Sequence, residues 1–167
     1  MSTGLIKSRD MPNILKAIAA ARAARKHAVP PVSGFIVGAA ALTSQGCIYP
    51  GANVEEAAVN GTIHAETCAL TGANANGDRD AMYLVICADP KKNPTRYVLP
   101  CLHCWQFIAN FAEVLGHSIV IVSVHSTGAD MAVVSTDGPP PPVFAYSDIG
   151  VDLSRWRPPK RRHRRKE

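Results

Sequence analysis

The sequence predicts an α/β domain of three layers, α/β/α, with helices on both faces of a central mixed five-stranded sheet. Three observations carry this. Read along the chain, the elements come as a helix, a hairpin, and then two helix-strand alternations. Two of the strand candidates, Met82 to Ala88 (MYLVICA) and Ser118 to Val124 (SIVIVSV), are continuous apolar runs of strand length, the pattern of strands covered on both faces. The length of 167 residues suits one hydrophobic core and is short for two. Residues 1–153 are therefore assigned to a single domain, with 154–167 set apart from it by composition.

Asp10-Met11-Pro12 opens the first helix, with Asp10 placed to cap it and Pro12 tolerated in its first turn. From Asn13 the run ILKAIAAARAARKHA puts Ile14, Ile18 and Ala21 at helical spacing, with Lys16, Arg22, Arg25 and Lys26 elsewhere around the turn. The basic residues read as a solvated face. Pro30-Pro31 is expected to end the helix, because proline has no amide donor and restricts the residue before it. Phe35 to Leu42 and Cys47 to Val54 form a hairpin about the turn Thr43-Ser44-Gln45-Gly46. A second helix covers His64 to Ala73, closed by Gly72 or by Asn74-Ala75-Asn76-Gly77. After the Met82 strand, DPKKNPTR is a loop by composition. Cys101 to Leu115 is the third helix, with Trp105, Ile108, Ala112 and Leu115 spaced to pack inward and Gly116 as its stop. The Ser118 strand, a short strand from Met131 to Val134 and the proline-rich connection 136–142 complete the domain.

Hydrophobic residues make up 47% of the chain, yet no run of about 18 apolar residues suggests a membrane span. The first eleven residues lack the apolar core of a secretory signal, which points to a cytoplasmic protein. Five cysteines, an odd number, argue against a disulfide framework; Cys47, Cys68 and Cys87 read as small buried side chains. The net charge of +5 is misleading until it is localised. Residues 154–167 hold eight of the 18 Lys and Arg and one of the 13 Asp and Glu, which leaves ten basic and twelve acidic residues, net −2, for 1–153. The basic character is thus that of an appendage expected to be disordered, whose KRRHRRK run also allows nuclear import.

The chemistry concentrates in His64-Ala65-Glu66 and Pro100-Cys101-Leu102-His103-Cys104. One histidine and two cysteines, His64, Cys101 and Cys104, can give three ligands to a tetrahedral Zn2+, with the fourth position left for water. Glu66, two residues from His64, can reach the same cavity without ligating and move that water's protons. A structural zinc would want a fourth protein ligand, and His103, between the two cysteines on one helical turn, would point away. Shuffling this composition would give roughly 0.2 H-x-E and roughly 0.01 P-C-x-x-C per chain, so the ordered pair is a strong joint signal.

H-x-E followed by P-C-x-x-C resembles the signature of zinc deaminases acting on cytosine or adenine. The string from Val32 to Glu66 narrows this: its F-x-V-G-A-A, N-x-E and zinc-helix elements are similar to those of the cytidine deaminase family of pyrimidine salvage. Cys104-Trp105-Gln106 resembles that family's C-R-Q, and the stretch from Pro142 to Gly150 its closing L-P-x-x-F-G-P segment. The resemblance implies the cytidine-deaminase-like fold, one Zn2+ per chain, and a homotetramer or homodimer with sites between subunits. It implies that Phe35, Asn53 and Glu55 hold a nucleoside, Asn53 and Glu55 through the sugar hydroxyls. Ala65 would meet the base through its backbone, and Glu66 would carry protons. Many single-domain members have cysteine at the position of His64 and arginine at those of Thr67 and Trp105. A His-Cys₂ zinc is formally neutral and needs no balancing cation, which accounts for Thr67. Trp105 has no such account.

The function expected is hydrolytic deamination of cytidine or deoxycytidine to the uracil nucleoside and ammonia. The alternatives are a polynucleotide cytosine deaminase that grips nucleic acid with the basic tail, a deaminase of a modified cytosine nucleoside, and a zinc-stabilised binding module. Hydrogen bonds from Asn53 and Glu55 to a 3′-hydroxyl favour the free nucleoside, since a continuing strand has none.

Overall fold

The computed structural model describes residues 5–58, 60–91 and 96–138; the closing segment at 142–150 and the basic tail lie outside them. A 3₁₀ turn, Ser8–Asp10, leads into α1 (Met11–Arg25), followed by β1 (Val37–Thr43), β2 (Ile48–Ala52), α2 (Ala65–Ala75), β3 (Ala81–Ala88), α3 (Leu102–Leu115), β4 (Val120–Val124) and β5 (Met131–Ser135). The five strands form one sheet in the order β2-β1-β3-β4-β5. Only β3 and β4 run parallel, so the sheet is mixed as expected.

The period-two alternation of the strands divides the core between the two faces. Ala40 and Leu42 of β1, Val85 and Cys87 of β3, and Val122 and Val124 of β4 pack against Ile14, Ala17, Ile18 and Ala21 of α1. Ala39, Ala41, Leu84, Ile86 and Ile121 face the other way, onto Ala69, Leu70 and Ala73 of α2 and Ile108 and Ala112 of α3. The small residues of β1 let helices come close on both sides. A Cβ at Gly38 would stand 2.1 Å from the Ala21 carbonyl oxygen of α1, and one at Gly51 of β2 would stand 2.5 Å from Ala65 O and Ala69 N of α2. No side chain fits in either gap. Pro50 lies exposed in the middle of β2, an edge strand, paired with Ala40.

Several local expectations need correction. Asp10 is helical and does not cap α1; its carboxylate accepts the Tyr83 hydroxyl at 2.7 Å, a tertiary bond that propensity cannot foresee. α1 stops at Arg25, ahead of Pro30-Pro31, because the chain turns at Lys26 and His27 and Val29 N then donates to Asn53 O at 2.9 Å. Gly72 lies inside α2, and it is the stretch from Asn74 to Gly77 that closes the helix, which ends at Ala75 with Asn76 as its C-cap and Gly77 at φ 76°. Two of the three basic residues of α1 are tied down. Arg22 donates to the carbonyl oxygens of His125 and Gly128, and Arg25 pairs with Asp89 at 2.9 Å. Of the three cysteines read as buried, Cys87 is, Cys68 is half-buried and Cys47 is exposed at the turn of the hairpin. Gly116, at φ 72°, ends α3 as expected.

His117 ties the turn after α3 to the residue before β3: its Nε2 lies 2.7 Å from Asp80 Oδ1, and Asp80 accepts from the Ser44 hydroxyl as well. The Asp80 carboxylate raises the His117 pKa, and Ser44 and then His117 lower that of Asp80.

Two outcomes are expected. Gly38→Ala loses about 3 kcal/mol of stability in denaturant unfolding, since α1 must lift off β1. The stability difference between the wild type and His117→Gln is greatest between the ordinary values of the two groups, 3.8 and 6.5. It is lost as pH rises through the raised value of His117, and as pH falls through the lowered value of Asp80. Unfolding curves across pH 3 to 9 read both limbs.

Candidate active site

The N-termini of α2 and α3 meet beside the C-terminal end of β3, the end of a parallel pair where α/β proteins place their ligands. His64 is the N-cap of α2 in extended conformation, its carbonyl oxygen accepting Cys68 N at 2.9 Å and the Thr67 hydroxyl at 2.8 Å. Its ring is thereby left free of the helix. Cys101 is the N-cap of α3, and its sulfur accepts from Cys104 N at 3.5 Å. The segment leading to Cys101 is anchored by the buried Ser123 hydroxyl of β4, which donates to Val98 O at 2.6 Å.

Among the described residues, His64, Cys101 and Cys104 bring one ligand atom each to within 4.8 Å of one another. His64 Nδ1 lies 3.6 Å from Cys101 Sγ. A tetrahedron with Zn–N near 2.0 Å and Zn–S near 2.3 Å has an N···S edge of about 3.5 Å. The donors fit zinc in chemistry as well as in spacing. Cys104 beside it, and the His64 ring, bring the Cys101 pKa down to about 4, so this sulfur is a thiolate. Cys101 in turn pushes the Cys104 thiol up, with burial and Glu66 adding to the effect. The Cys101 sulfur favours a protonated His64. Two thiols and an imidazole crowded this closely cannot all give up their protons unaided, and a divalent cation removes that conflict. His103 is exposed with its ring centroid 5.3 Å from that of His64, outside the donor group.

Glu66, in the first turn of α2, is 6% exposed; burial raises its pKa above the ordinary carboxylate range. It faces, with His64, Ala65 and Cys101, a cavity of about 240 Å³. That is the size for a single small metabolite. Ala65 is the first residue of α2, where backbone N–H groups have no partner within the helix.

The opposite wall brings Phe35, Asn53 and Glu55 to the same cavity. Phe35 packs with Ala88 and Val98. Asn53, 7% exposed, spans the start of β1: its Nδ2 donates to Phe35 O at 2.9 Å and its Oδ1 accepts Val37 N at 2.8 Å. Glu55 accepts from the turn 32–33. Burial alone would raise its pKa, but the hydrogen bonds from Ser33 and Val32 and the charge of Lys91 hold it below the ordinary range. Every residue singled out from the sequence thus lines the cavity or belongs to the donor group. Sequence reasoning did not single out Ser33, Val37, Thr62, Val98 and Leu99, which also line it. Ser33, Val98 and Leu99 lie next to matched motifs, and nothing in their own spacing marks them. Trp105 is half-buried and packs against the core shared by α2, α3 and the sheet, so its ring serves packing.

This arrangement defines a member of the cytidine and deoxycytidylate deaminase family: residues 11–120 match the family model described as "Cytidine and deoxycytidylate deaminase zinc-binding region", and the chain belongs to that family. Among individual relatives it is 39% identical over 98 residues to a "Probable cytidine deaminase" of Dictyostelium discoideum, and 40% identical over 101 residues to a "Cytidine deaminase" of Sporosarcina psychrophila. These matches cover 59% and 60% of this chain and 65% and 71% of the relatives, so the first spans a little under two thirds of its counterpart. The structure of cytidine deaminase from Burkholderia pseudomallei superposes with a TM-score of 0.63 at 31% identity, covering 73% of this chain and 91% of that one. The matched stretch, 11–120, includes His64, Cys101 and Cys104.

Elemental analysis of the purified protein is expected to give one zinc per chain. Zinc content unchanged by the double substitution Cys101→Ala and Cys104→Ala would contradict this ligand set. Removing the metal by chelation should lower the melting temperature, because the crowded thiols then lose their shared counter-ion.

Proposed function

We propose that the protein is a zinc-dependent aminohydrolase of cytidine, deoxycytidine or both, giving the uracil nucleoside and ammonia. The observation that carries this reading is the buried Glu66 carboxyl in the same cavity as the three donors. Held by His64, Cys101 and Cys104, zinc supplies the Lewis acidity that makes a water nucleophilic at neutral pH. Glu66 accepts the proton of that water as oxygen adds to C4 of the base, and passes it to the ring nitrogen. The C4–N bond then breaks as Glu66 takes the remaining proton of the added oxygen and delivers it to the departing amine, leaving the C4 carbonyl and ammonia. Burial raises the pKa of Glu66 and suits a group that must both take and give protons near neutrality. The free N–H at the start of α2 is a donor for the base carbonyl, Phe35 covers the base, and Asn53 and Glu55 take the sugar hydroxyls.

The finer parts of the reading have separate support. A free nucleoside of pyrimidine salvage is favoured over a polynucleotide by the small cavity and by the carboxylate at the sugar end, which repels phosphate. A homo-oligomer, a tetramer or a dimer, suits the exposed Val54, Ile63 and Leu102, each next to a cavity residue in sequence, and the exposed Val29, bridged to Val54. No described helix is long and apolar enough to cross a membrane, in keeping with a cytoplasmic enzyme. The basic tail, 154–167, forms no part of the proposed catalytic unit.

Glu66→Gln is expected to keep its fold and zinc and to lose turnover by several orders of magnitude, because the amide occupies the same space but cannot carry the proton. Near-normal activity of the zinc-loaded variant would assign proton transfer elsewhere. A panel of cytidine, deoxycytidine, dCMP, cytosine and a cytosine-containing oligonucleotide should show turnover of the nucleosides. Truncation after Leu153 should leave kcat/KM for cytidine unchanged; a folded, zinc-loaded truncation without activity would make the tail part of the site.

A further inference from the structure

The turn that closes the cavity is held to the sugar end of the pocket by one carboxylate. Glu55 Oε2 accepts Val32 N at 2.8 Å and Ser33 N at 3.0 Å, while Oε1 accepts the Ser33 hydroxyl at 2.5 Å. The same Ser33 Oγ accepts Phe35 N at 2.9 Å. With a donor already on its oxygen, the serine directs its single proton to Glu55. On the outer side of the turn, Lys91 Nζ donates to Ser33 O at 2.8 Å and fixes the backbone that carries the hydroxyl.

A carboxylate has about four acceptor positions. Among the described residues, two donors fall on Oε2 and one on Oε1, which leaves one position, on Oε1, in a side chain that lines the cavity. We propose that Ser33 is a positioning residue: its hydroxyl fixes the rotation of the Glu55 carboxylate so that the remaining acceptor position of Oε1 meets a single hydroxyl of the substrate's sugar. This rests on the nucleoside reading given above and adds a residue to it. Glutamate has three rotatable side-chain bonds, and without the serine the two backbone donors on Oε2 still permit Oε1 to swing. The hydroxyl removes that freedom before substrate arrives, which is preorganisation of a binding group. The hydrogen bonds that lower the Glu55 pKa also keep it ionised. The chain Glu55 Oε1, Ser33 Oγ, Phe35 N further links the sugar contact to the backbone of the aromatic residue over the base. Ser33 touches no reacting atom and acts through Glu55.

The test compares wild type, Ser33→Ala and Ser33→Thr on cytidine, 2′-deoxycytidine and 3′-deoxycytidine. Ser33→Ala is expected to raise KM for cytidine by about tenfold, the scale of one hydrogen bond to a charged group, with little change in kcat. That penalty should vanish with the deoxy substrate that lacks the hydroxyl taken by Glu55. Ser33→Thr, which keeps the donor, should behave as wild type. An equal loss on all three substrates would make Ser33 a merely structural turn residue and overturn the proposal. Because the substrates are compared within one preparation, a reduced folded fraction cancels, and Ser33→Cys, with a weaker donor of similar size, gives an intermediate penalty if the alanine variant does not fold. A zinc-loaded wild type inactive on all three would instead overturn the nucleoside deaminase reading, and this inference with it.

Discussion

The site depends on the closeness with which α2 lies on the sheet. At Gly51 the backbone of β2 reaches the backbone of α2 at Ala65 and Ala69, with no room for a side chain between them. This contact sets the height of the first turn of α2, and so of His64 and Glu66. α3 is placed independently, by Ile108 and Ala112 in the core and by the Ser123 bond to the segment before Cys101. The 3.6 Å separation of His64 Nδ1 and Cys101 Sγ is the result of two separate packings agreeing. A shift of either helix by the size of one methyl group would break the donor set without touching a donor.

The same convergence creates an electrostatic demand. Helix N-termini favour negative charge, and here two of them face one another across a thiolate, a second sulfur and a buried carboxyl. The amide of Cys104 and the ring of His64 satisfy part of this, and a divalent ion suits the remainder. At the far wall the opposite solution operates: Glu55 is kept charged by donors drawn from the turn above it. The cavity therefore has a protonatable carboxyl at one end and a fixed carboxylate at the other: burial raises the first, and hydrogen-bond donors hold down the second.

Much of this was legible in the sequence, for definable reasons. MYLVICA and SIVIVSV announced the central strands because burial on both faces removes polar residues from them, and Gly116 marked the end of α3 because it must adopt φ 72°. The donor set and Glu66 were legible because their spacing is imposed by one helical turn. What escaped was tertiary. Asp10 looked like a cap but bonds Tyr83, 73 residues away. Arg22 and Arg25 looked solvated but hold carbonyls and a carboxylate near the ends of β3 and β4. Ser33 gave no sign of its role because its partner, Glu55, lies 22 residues further on and no periodicity connects them.

Pro50 has a consequence for how copies of the chain can meet. In the register of β1 and β2, Thr43 and Cys47 form a hydrogen-bonded pair, so Ala40 and Pro50 fall at a non-bonded position and the nitrogen of Pro50 points outward from the sheet. The residue that would offer the central donor on this open edge has none to offer. A neighbouring strand cannot zip onto β2 to make a continuous sheet across two molecules. An assembly across the β2 edge must be cemented by side chains instead, which leaves the hairpin free of the runaway edge pairing that turns soluble sheets into fibres.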